Sequence, residues 1–143
     1  MTFIMVWHLQ HTKGEKMRFI QTPKAPSAIG PYSQATVVNG MVYTSGQIAL
    51  LPNGSDELLT ADVATQTKQV LTNLREVLEA ADSSLQNVIK TTIFIADMND
   101  FATINEIYES FFIAHKPARS TVAVKTLPKN ALVEIDAVAL MNS

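Results

Sequence analysis

The stretch that decides the fold lies near the C-terminus and reads PARSTVAV (117–124), KTLPKN (125–130) and ALVEIDAVAL (131–140). Both outer segments are short and rich in valine, which is typical of β-strands. The segment between them contains proline and asparagine, which favour turns. We therefore predict a β-hairpin in which residues 125–130 form the loop.

The predicted hairpin contains charged residues that need an explanation. Arg119 begins its first strand, and Glu134 and Asp136 lie within its second strand. A charge inside a strand is costly unless it is paired or used for binding. In one interpretation Arg119 forms a structural ion pair with Glu134 or Asp136. In the other, Arg119 and Glu134 face a small molecule that carries a carboxylate, and from spacing alone both interpretations stand.

The composition indicates a single globular domain. The chain has 143 residues, of which 47% are hydrophobic and 17% are charged, as in ordinary soluble proteins. A net charge of −2 provides no electrostatic footprint for nucleic acid. The absence of cysteine excludes disulfides, thiolate catalysis and cysteine metal sites. It also fits a reducing compartment, so we expect a cytoplasmic protein, and a mitochondrial location is compatible with the same features.

Residues 1–16 differ from the rest, and we interpret them as an extension before a domain of residues 17–143. The apolar run at residues 3–7 has no basic stretch before it. It is too short for the core of a signal peptide and far too short to span a bilayer. His8 and His11 are three residues apart, but two ligands alone make a weak metal site. We therefore expect neither a metal site nor a membrane partner.

Hydrophobic patterning predicts the remaining elements. Asn39-Gly40 between two apolar runs is a strong hairpin signal. Apolar residues recur at three- and four-residue steps in residues 61–81 and 101–115, which predicts two amphipathic helices. Thr60 is the expected N-cap of the first helix. The other predicted strands are apolar segments between turn signals and comprise residues 17–21, 32–38, 41–44 and 88–96.

The order of strands, helix, strand, helix and two strands predicts an α+β domain with a single mixed β-sheet and two helices on one face. Two helices can cover only one face of that sheet. The other face of the predicted sheet is too apolar to stay solvated and too polar for the core of a monomer. We therefore predict a closed homo-oligomer with ligand sites at subunit boundaries. The small or polar side chains expected on the uncovered face are those of Lys90, Thr92, Arg119, Thr121 and Ala123.

Several segments resemble the RidA family, which is also known as YjgF or L-PSP. The C-terminal blocks that carry the resemblance are PARS (117–120), LPK (127–129) and VEI (133–135). The blocks similar to the family's N-terminal and middle signatures are AIGPYSQA (28–35), TSGQI (44–48), KTTIF (90–94) and NDFATIN (99–105). All blocks occur in collinear order, so the resemblance covers most of the chain.

The resemblance implies a homotrimer with a chorismate-mutase-like fold, in which three sheets form an inner β-barrel and the helices lie outside. It also implies three small-molecule sites in the clefts between subunits. The implied activity is the hydrolysis of reactive 2-imino acids, such as 2-iminobutanoate and 2-iminopropanoate, to 2-oxo acids and ammonia. These imines arise when pyridoxal-phosphate dehydratases act on threonine or serine. The resemblance implies no cofactor.

The resemblance also implies which residues form the site. Arg119 and Glu134 are the implied catalytic residues: the planar guanidinium holds the substrate carboxylate, and the glutamate moves protons. Thr121 stands where other members carry cysteine, and its backbone N–H is implied to contact the carboxylate. The loop between the second helix and Pro117 is reduced to Lys116, which is shorter than in bacterial relatives. The other implied substrate-binding residues are Tyr32, Gly46 and Asn105.

Two other functions compete with deamination. The family is also described as endoribonucleases or translation inhibitors. The chain, however, has no basic stripe with interleaved aromatic residues and no cluster of histidine and lysine suited to phosphodiester cleavage. We therefore expect no nucleic-acid partner. The second alternative is a non-catalytic trimer that binds a metabolite such as a 2-oxo acid without turnover.

Overall fold

The computed structural model describes residues 16–143, in which six β-strands form one sheet and two α-helices pack on the same face of it. The predicted α+β class with a single mixed sheet is therefore confirmed. The predicted extension and its two histidines lie outside the described residues, apart from Lys16. The elements are β1 (Arg18–Ile20), β2 (Ala35–Val38), β3 (Met41–Thr44), α1 (Val63–Ala80), β4 (Val88–Ile95), α2 (Phe101–Phe111), β5 (Ala118–Ala123) and β6 (Val133–Leu140).

The strand order differs from the predicted C-terminal hairpin. It is β1-β2-β3-β6-β4-β5, with β4 and β5 parallel and the other neighbours antiparallel. Because β4 lies between β5 and β6, these last two strands do not pair, and the predicted hairpin is wrong. The reason is that β4, α2 and β5 form a crossover unit, which places its two strands side by side and parallel. Residues 124–132 then pass the end of β4, and β6 runs back antiparallel along the other edge of β4.

The core lies between the sheet and the two helices. Alternate residues of the central strands, among them Ile93 and Ile135, are fully buried there. Each such aliphatic side chain contributes roughly 1.5–3 kcal/mol of burial free energy, so the predicted apolar stripe attaches α1 firmly to the sheet. The residues of that stripe that are fully buried are Val70, Leu71, Leu74, Val77 and Leu78.

The first helix begins at Val63, later than predicted, because Asp62 and not Thr60 is its N-cap. The Oδ1 atom of Asp62 accepts a 2.8 Å hydrogen bond from the amide of Thr65. That bond stabilises the ionised carboxylate and lowers the pKa of Asp62. The negative charge also lies at the positive end of the helix dipole.

The second helix ends at Phe111, before the predicted end at residue 115. Phe112 leaves the helical region with φ −115° and ψ 73°, and Lys116 Nζ donates a 2.8 Å hydrogen bond to its carbonyl. His115 therefore lies beyond the helix, and its Nε2 atom is 2.9 Å from the carbonyl oxygen of Val88. The connection to β5 comprises residues 112–117, so the predicted reduction of this loop to one residue is wrong.

The register of β5 corrects the predicted composition of the open face, which is the sheet face away from the helices. Arg119 pairs with Thr91, which is 1% exposed beneath the helices. Paired residues share a face and side chains alternate along a strand, so Arg119, Thr121 and Ala123 all face the helices. Their predicted place on the open face is therefore wrong, because β5 pairs with β4 and takes its register from that strand. The predicted members that do lie on the open face are Lys90 and Thr92.

The open face carries several large apolar side chains that are exposed. Phe19 on β1 is 68% exposed, and Tyr43, Val122 and Leu140 are also exposed on this face. An extended apolar surface of this kind is typical of a face that is covered in an assembly. No helix within residues 16–143 has the length and apolar character needed to cross a membrane.

Candidate functional site

Arg119 lies on the edge strand β5, and its guanidinium points towards α2. Its Cζ atom lies 5.0 Å from the ring centroid of Tyr108 and 5.6 Å from that of Phe101. Both distances are within the range of cation–π attraction. Among the described residues Arg119 forms no ion pair. The structural pair with Glu134 or Asp136 that the sequence left open is therefore not formed within this part of the chain.

Helix α2 places three residues on the side that meets Arg119. Phe101, Asn105 and Tyr108 are spaced by four and three residues, so they lie along one side of the helix. Asn105, Tyr108 and Arg119 line a cavity of about 300 Å³. Thr121 follows Arg119 on the same side of β5. The Oδ1 atom of Asn105 and the Oγ1 atom of Thr121 are buried without a hydrogen-bond partner among the described residues.

Two polar atoms without a partner, close to a cation without an ion pair, indicate a binding site in the part of the chain that the structure describes. Most buried polar atoms in proteins have a partner, and leaving one without a partner costs roughly 1–3 kcal/mol. A ligand with a negative group could pair with the guanidinium in the cavity that Arg119 and Asn105 line. We refer to Arg119, Asn105 and Thr121 as the cationic half-site.

Glu134, Gly46 and Tyr32 line a second cavity of about 60 Å³, and we refer to them as the acidic half-site. Backbone hydrogen bonds of 2.9 and 3.1 Å between Gln47 and Ile135 hold the segment after β3 against β6. These bonds bring Gly46 so close to Glu134 that a methyl group on Gly46 would lie 2.8 Å from the carboxyl carbon. A glycine is needed here because its missing side chain leaves room for the carboxylate.

Gln34 holds the proline-rich loop that precedes Tyr32, a role that the sequence did not reveal. Its buried Oε1 atom accepts a 2.6 Å hydrogen bond from the amide of Thr22, and its Nε2 atom donates to the carbonyl of Pro26 at 2.8 Å. At the end of this loop, the hydroxyl of Tyr32 accepts a 3.3 Å hydrogen bond from the amide of Ile29. The loop therefore closes over the acidic half-site in a defined conformation.

Burial raises the pKa of Glu134, and the nearby charge of Asp136 raises it further. Asp136 lies two residues along β6 on the same face, and burial raises its pKa as well, against the opposing effects of Lys90 and Thr92. Glu134 therefore keeps its proton at a higher pH than an ordinary glutamate. A carboxyl group of this kind is suited to accepting and returning a proton during a reaction.

The two half-sites lie on opposite faces of the sheet within one chain. Glu134 of β6 pairs with Phe94 of β4, whereas Arg119 of β5 pairs with Thr91 of β4. Positions 91 and 94 differ by an odd number of residues, so their side chains point to opposite faces. The predicted crevice shared by Arg119 and Glu134 is therefore not formed within one chain. The predicted site residues instead form two groups: Arg119, Asn105 and Thr121, and separately Glu134, Gly46 and Tyr32.

The two half-sites are made from the same segments that carried the family resemblance in the sequence. A profile of the endoribonuclease L-PSP family matches residues 22–141. The chain belongs to the L-PSP family, also called the RidA or YjgF family.

Three relatives of this L-PSP family chain illustrate the range of names in the family. A RutC family protein of Synechocystis is 52% identical over 126 residues, which cover 87% of this chain and 97% of the relative. The human 2-iminobutanoate/2-iminopropanoate deaminase is 50% identical over 123 residues, which cover 86% of this chain and 89% of the relative. The crystal structure of E. coli TdcF with bound serine has a TM-score of 0.82 and 45% identity, and the match covers 87% of this chain and 99% of TdcF.

Two aromatic residues of this L-PSP family chain were predicted only as part of the helix's apolar stripe. Tyr108 is buried in that stripe, whereas Phe101 is 36% exposed, and both rings contact the guanidinium of Arg119. The spacing in the sequence contains a signal for this second role. Both residues flank Asn105, an implied site residue, on the same side of the helix.

Proposed function

We propose that this L-PSP family chain is an enzyme that hydrolyses 2-imino acids, such as 2-iminobutanoate and 2-iminopropanoate, to 2-oxo acids and ammonia. The main support is the guanidinium of Arg119, which lacks an ion-pair partner in the described chain and lies next to the unsatisfied oxygens of Asn105 and Thr121. A guanidinium can bind a carboxylate through two parallel charge-assisted hydrogen bonds. Every 2-imino acid carries a carboxylate next to its C=N carbon.

The relatives support the substrate class. The human protein is named for two imino acids of this type. The serine bound to TdcF is a small molecule that combines a carboxylate with a nitrogen on the neighbouring carbon. The same two groups are present in a 2-imino acid.

The proposed active unit is a closed homotrimer in which the cationic half-site of one copy meets the acidic half-site of the next. A single chain holds Arg119 and Glu134 on opposite faces of its sheet, so one ligand can reach both only between two copies. The exposed apolar side chains of the open face, such as Phe19 and Leu140, would be buried if three sheets formed an inner barrel. A closed ring of identical contacts gives three equal sites.

The proposed reaction consumes one water and releases one ammonia for each imine, so it balances without a cofactor. Arg119 and the backbone N–H of Thr121 hold the carboxylate. Glu134 takes a proton from water as the water oxygen bonds to the imine carbon, and it passes that proton to the nitrogen. The hydroxyl proton of the resulting carbinolamine then reaches the nitrogen through the same carboxylate, the C–N bond breaks, and ammonia leaves. The raised pKa of Glu134 favours its role as the proton carrier.

A coupled assay tests the proposed reaction. Threonine dehydratase generates 2-iminobutanoate, and the appearance of 2-oxobutanoate is followed with and without this protein. We expect release to accelerate in proportion to the amount of protein added. If release does not accelerate although 2-oxobutanoate binds, the non-catalytic trimer is the function. RNA cleavage that survives extensive purification would instead support the endoribonuclease named in the family description.

Replacing Gly46 by alanine should lower turnover by roughly ten- to 100-fold, which is the usual cost of displacing a catalytic group by about 1 Å. The new methyl group would lie 2.8 Å from the carboxyl carbon of Glu134 and push the carboxylate aside. The melting temperature should change by only a few degrees, because the atoms displaced belong to the end of a flexible side chain. Turnover and thermal unfolding of G46A check both statements. A folded G46A variant with wild-type turnover would contradict the role given to this close approach.

A further inference from the structure

Beneath Arg119, the hydroxyl groups of Tyr108 and Thr91 form a 2.7 Å hydrogen bond that links α2 to β4. Both residues are buried, with 6% and 1% of their surface exposed. Thr91 is also the β4 residue that pairs with Arg119 in the parallel register. The hydrogen bond, the Tyr108 ring and the arginine therefore lie at the same level of the sheet.

We propose that the Tyr108–Thr91 pair positions Arg119 for carboxylate binding. The hydrogen bond fixes the position of the hydroxyl end of Tyr108, packing against Phe112 restricts the plane of the ring, and the ring holds the guanidinium in the orientation that receives the carboxylate. This inference rests on the proposed function, because the orientation serves a substrate that carries a carboxylate.

The packing around Tyr108 leaves its ring little freedom. The Phe112 ring, which is fully buried, lies with its centroid 4.6 Å from that of Tyr108. The hydroxyl end of Tyr108 is held by Thr91, and the guanidinium lies 5.0 Å from the ring centroid. Arg119 forms no ion pair within the described chain, so aromatic faces take the place of a carboxylate in orienting it. An aromatic face orients a guanidinium without neutralising it, so the positive charge stays available to a ligand.

The hydroxyl pair is not needed to fill the core. Valine has nearly the shape of threonine and could occupy position 91 without a polar group that must be satisfied. Phenylalanine could likewise fill the space of Tyr108. Replacing both partners of a buried hydrogen bond by apolar groups of the same shape is nearly neutral for stability, whereas removing one partner leaves the other unsatisfied. The hydrogen bond between Tyr108 and Thr91 can therefore be removed while the packing of the two side chains is retained.

The double variant Y108F/T91V is the main test, because it removes both hydroxyls and leaves no unsatisfied atom. We expect its melting temperature to stay near the wild-type value. Its dissociation constant for 2-oxobutanoate, measured by calorimetry, should rise about five-fold, which is the size expected for a weakened cation–π contact. In the coupled assay the apparent KM should rise to a similar extent while kcat changes less than about two-fold. The single variant T91S, which keeps a hydroxyl at position 91 beside an intact Tyr108, should bind 2-oxobutanoate like the wild type.

The matched control is T67V, which also removes a buried threonine hydroxyl. Thr67 is fully buried in α1, and its hydroxyl donates to the carbonyl of Val63 at 2.7 Å within the same helix, outside both half-sites. T67V should bind 2-oxobutanoate like the wild type. A double variant with wild-type binding, or a T67V variant weakened as much as the double variant, would overturn the positioning role.

The binding measurement separates this inference from the proposed reaction. If the wild type binds 2-oxobutanoate but hydrolyses no imine, the proposed reaction fails, and the comparison of dissociation constants still decides the role of Tyr108 and Thr91. If the wild type turns over the imine and the variants bind like the wild type, the positioning role fails alone. Failure of the wild type to bind any 2-oxo acid would overturn both.

Discussion

The R119A variant should lose imino-acid hydrolysis by about 100-fold or more. Hydrogen bonds to charged groups contribute roughly 1.5–3 kcal/mol each, and the guanidinium can offer two to one carboxylate. Arg119→Lys keeps the charge but not the planar fork, so it should recover only part of the loss. The measurement is the rate of 2-oxobutanoate release in the coupled assay, together with binding of 2-oxobutanoate by calorimetry.

The fold of the R119A variant should remain intact. Arg119 lies on an edge strand, is partly exposed and forms no ion pair within the described chain, so its removal leaves no buried charge without a partner. The matched control is R75A, because Arg75 also stacks on an aromatic ring, with its Cζ atom 5.9 Å from the Phe111 centroid, but lies outside both half-sites. R75A should hydrolyse the imine like the wild type. Equal rates for wild type, R119A and R119K would reject the proposed mechanism.

Mixed oligomers should recover activity that neither parent variant has. R119A and E134Q each lack one half-site, so oligomers of either variant alone should be nearly inactive. In a random one-to-one mixture of copies in a closed ring, about one quarter of the sites combine an intact Arg119 with an intact Glu134 from the neighbour. We therefore expect about a quarter of the wild-type activity when the two variants are co-expressed and assembled together. The mixed oligomers should therefore be far more active than oligomers of either variant alone, whose activities are close to zero.

The control for this experiment is co-expression of R119A with the double variant R119A/E134Q. No site in that mixture has an intact arginine, so activity should stay near zero. If R119A and E134Q also fail to complement each other while forming mixed oligomers, each site must draw both residues from one chain. That result would contradict the half-sites on opposite faces of the sheet.

Local interactions could be predicted from the sequence because they depend on residues that are near each other in the chain. The turn at Asn39-Gly40 is one example: both residues adopt positive φ, at 52° and 74°, as the tight hairpin turn requires. The buried stripe of α1 is another, since helical periodicity alone assigns its apolar face. Most of the candidate site residues were also recognisable, because Tyr32, Gly46, Asn105, Arg119 and Glu134 each occur within a short block that resembles the family, whereas Thr121 lies just outside one.

Strand pairing could not be predicted from residues that are near each other in the sequence. Residues 117–140 have the local pattern of a hairpin, yet β4, which precedes them by a helix, separates the two strands. Which strands become neighbours depends on contacts between distant residues and on the crossover through α2. The role of Gln34 was hidden for the same reason, because a buried glutamine is recognisable only once the loop that it holds has folded around it.

The amino-acid sequence was enough to establish the α+β class and the family and to name candidate site residues, since these follow from local periodicity and from short collinear blocks. The tertiary structure alone decided that Arg119 and Glu134 face opposite sides of the sheet. The physical reason is the two-residue period of a β-strand: the register against β4 decides the direction of each side chain, and that register is set by long-range pairing.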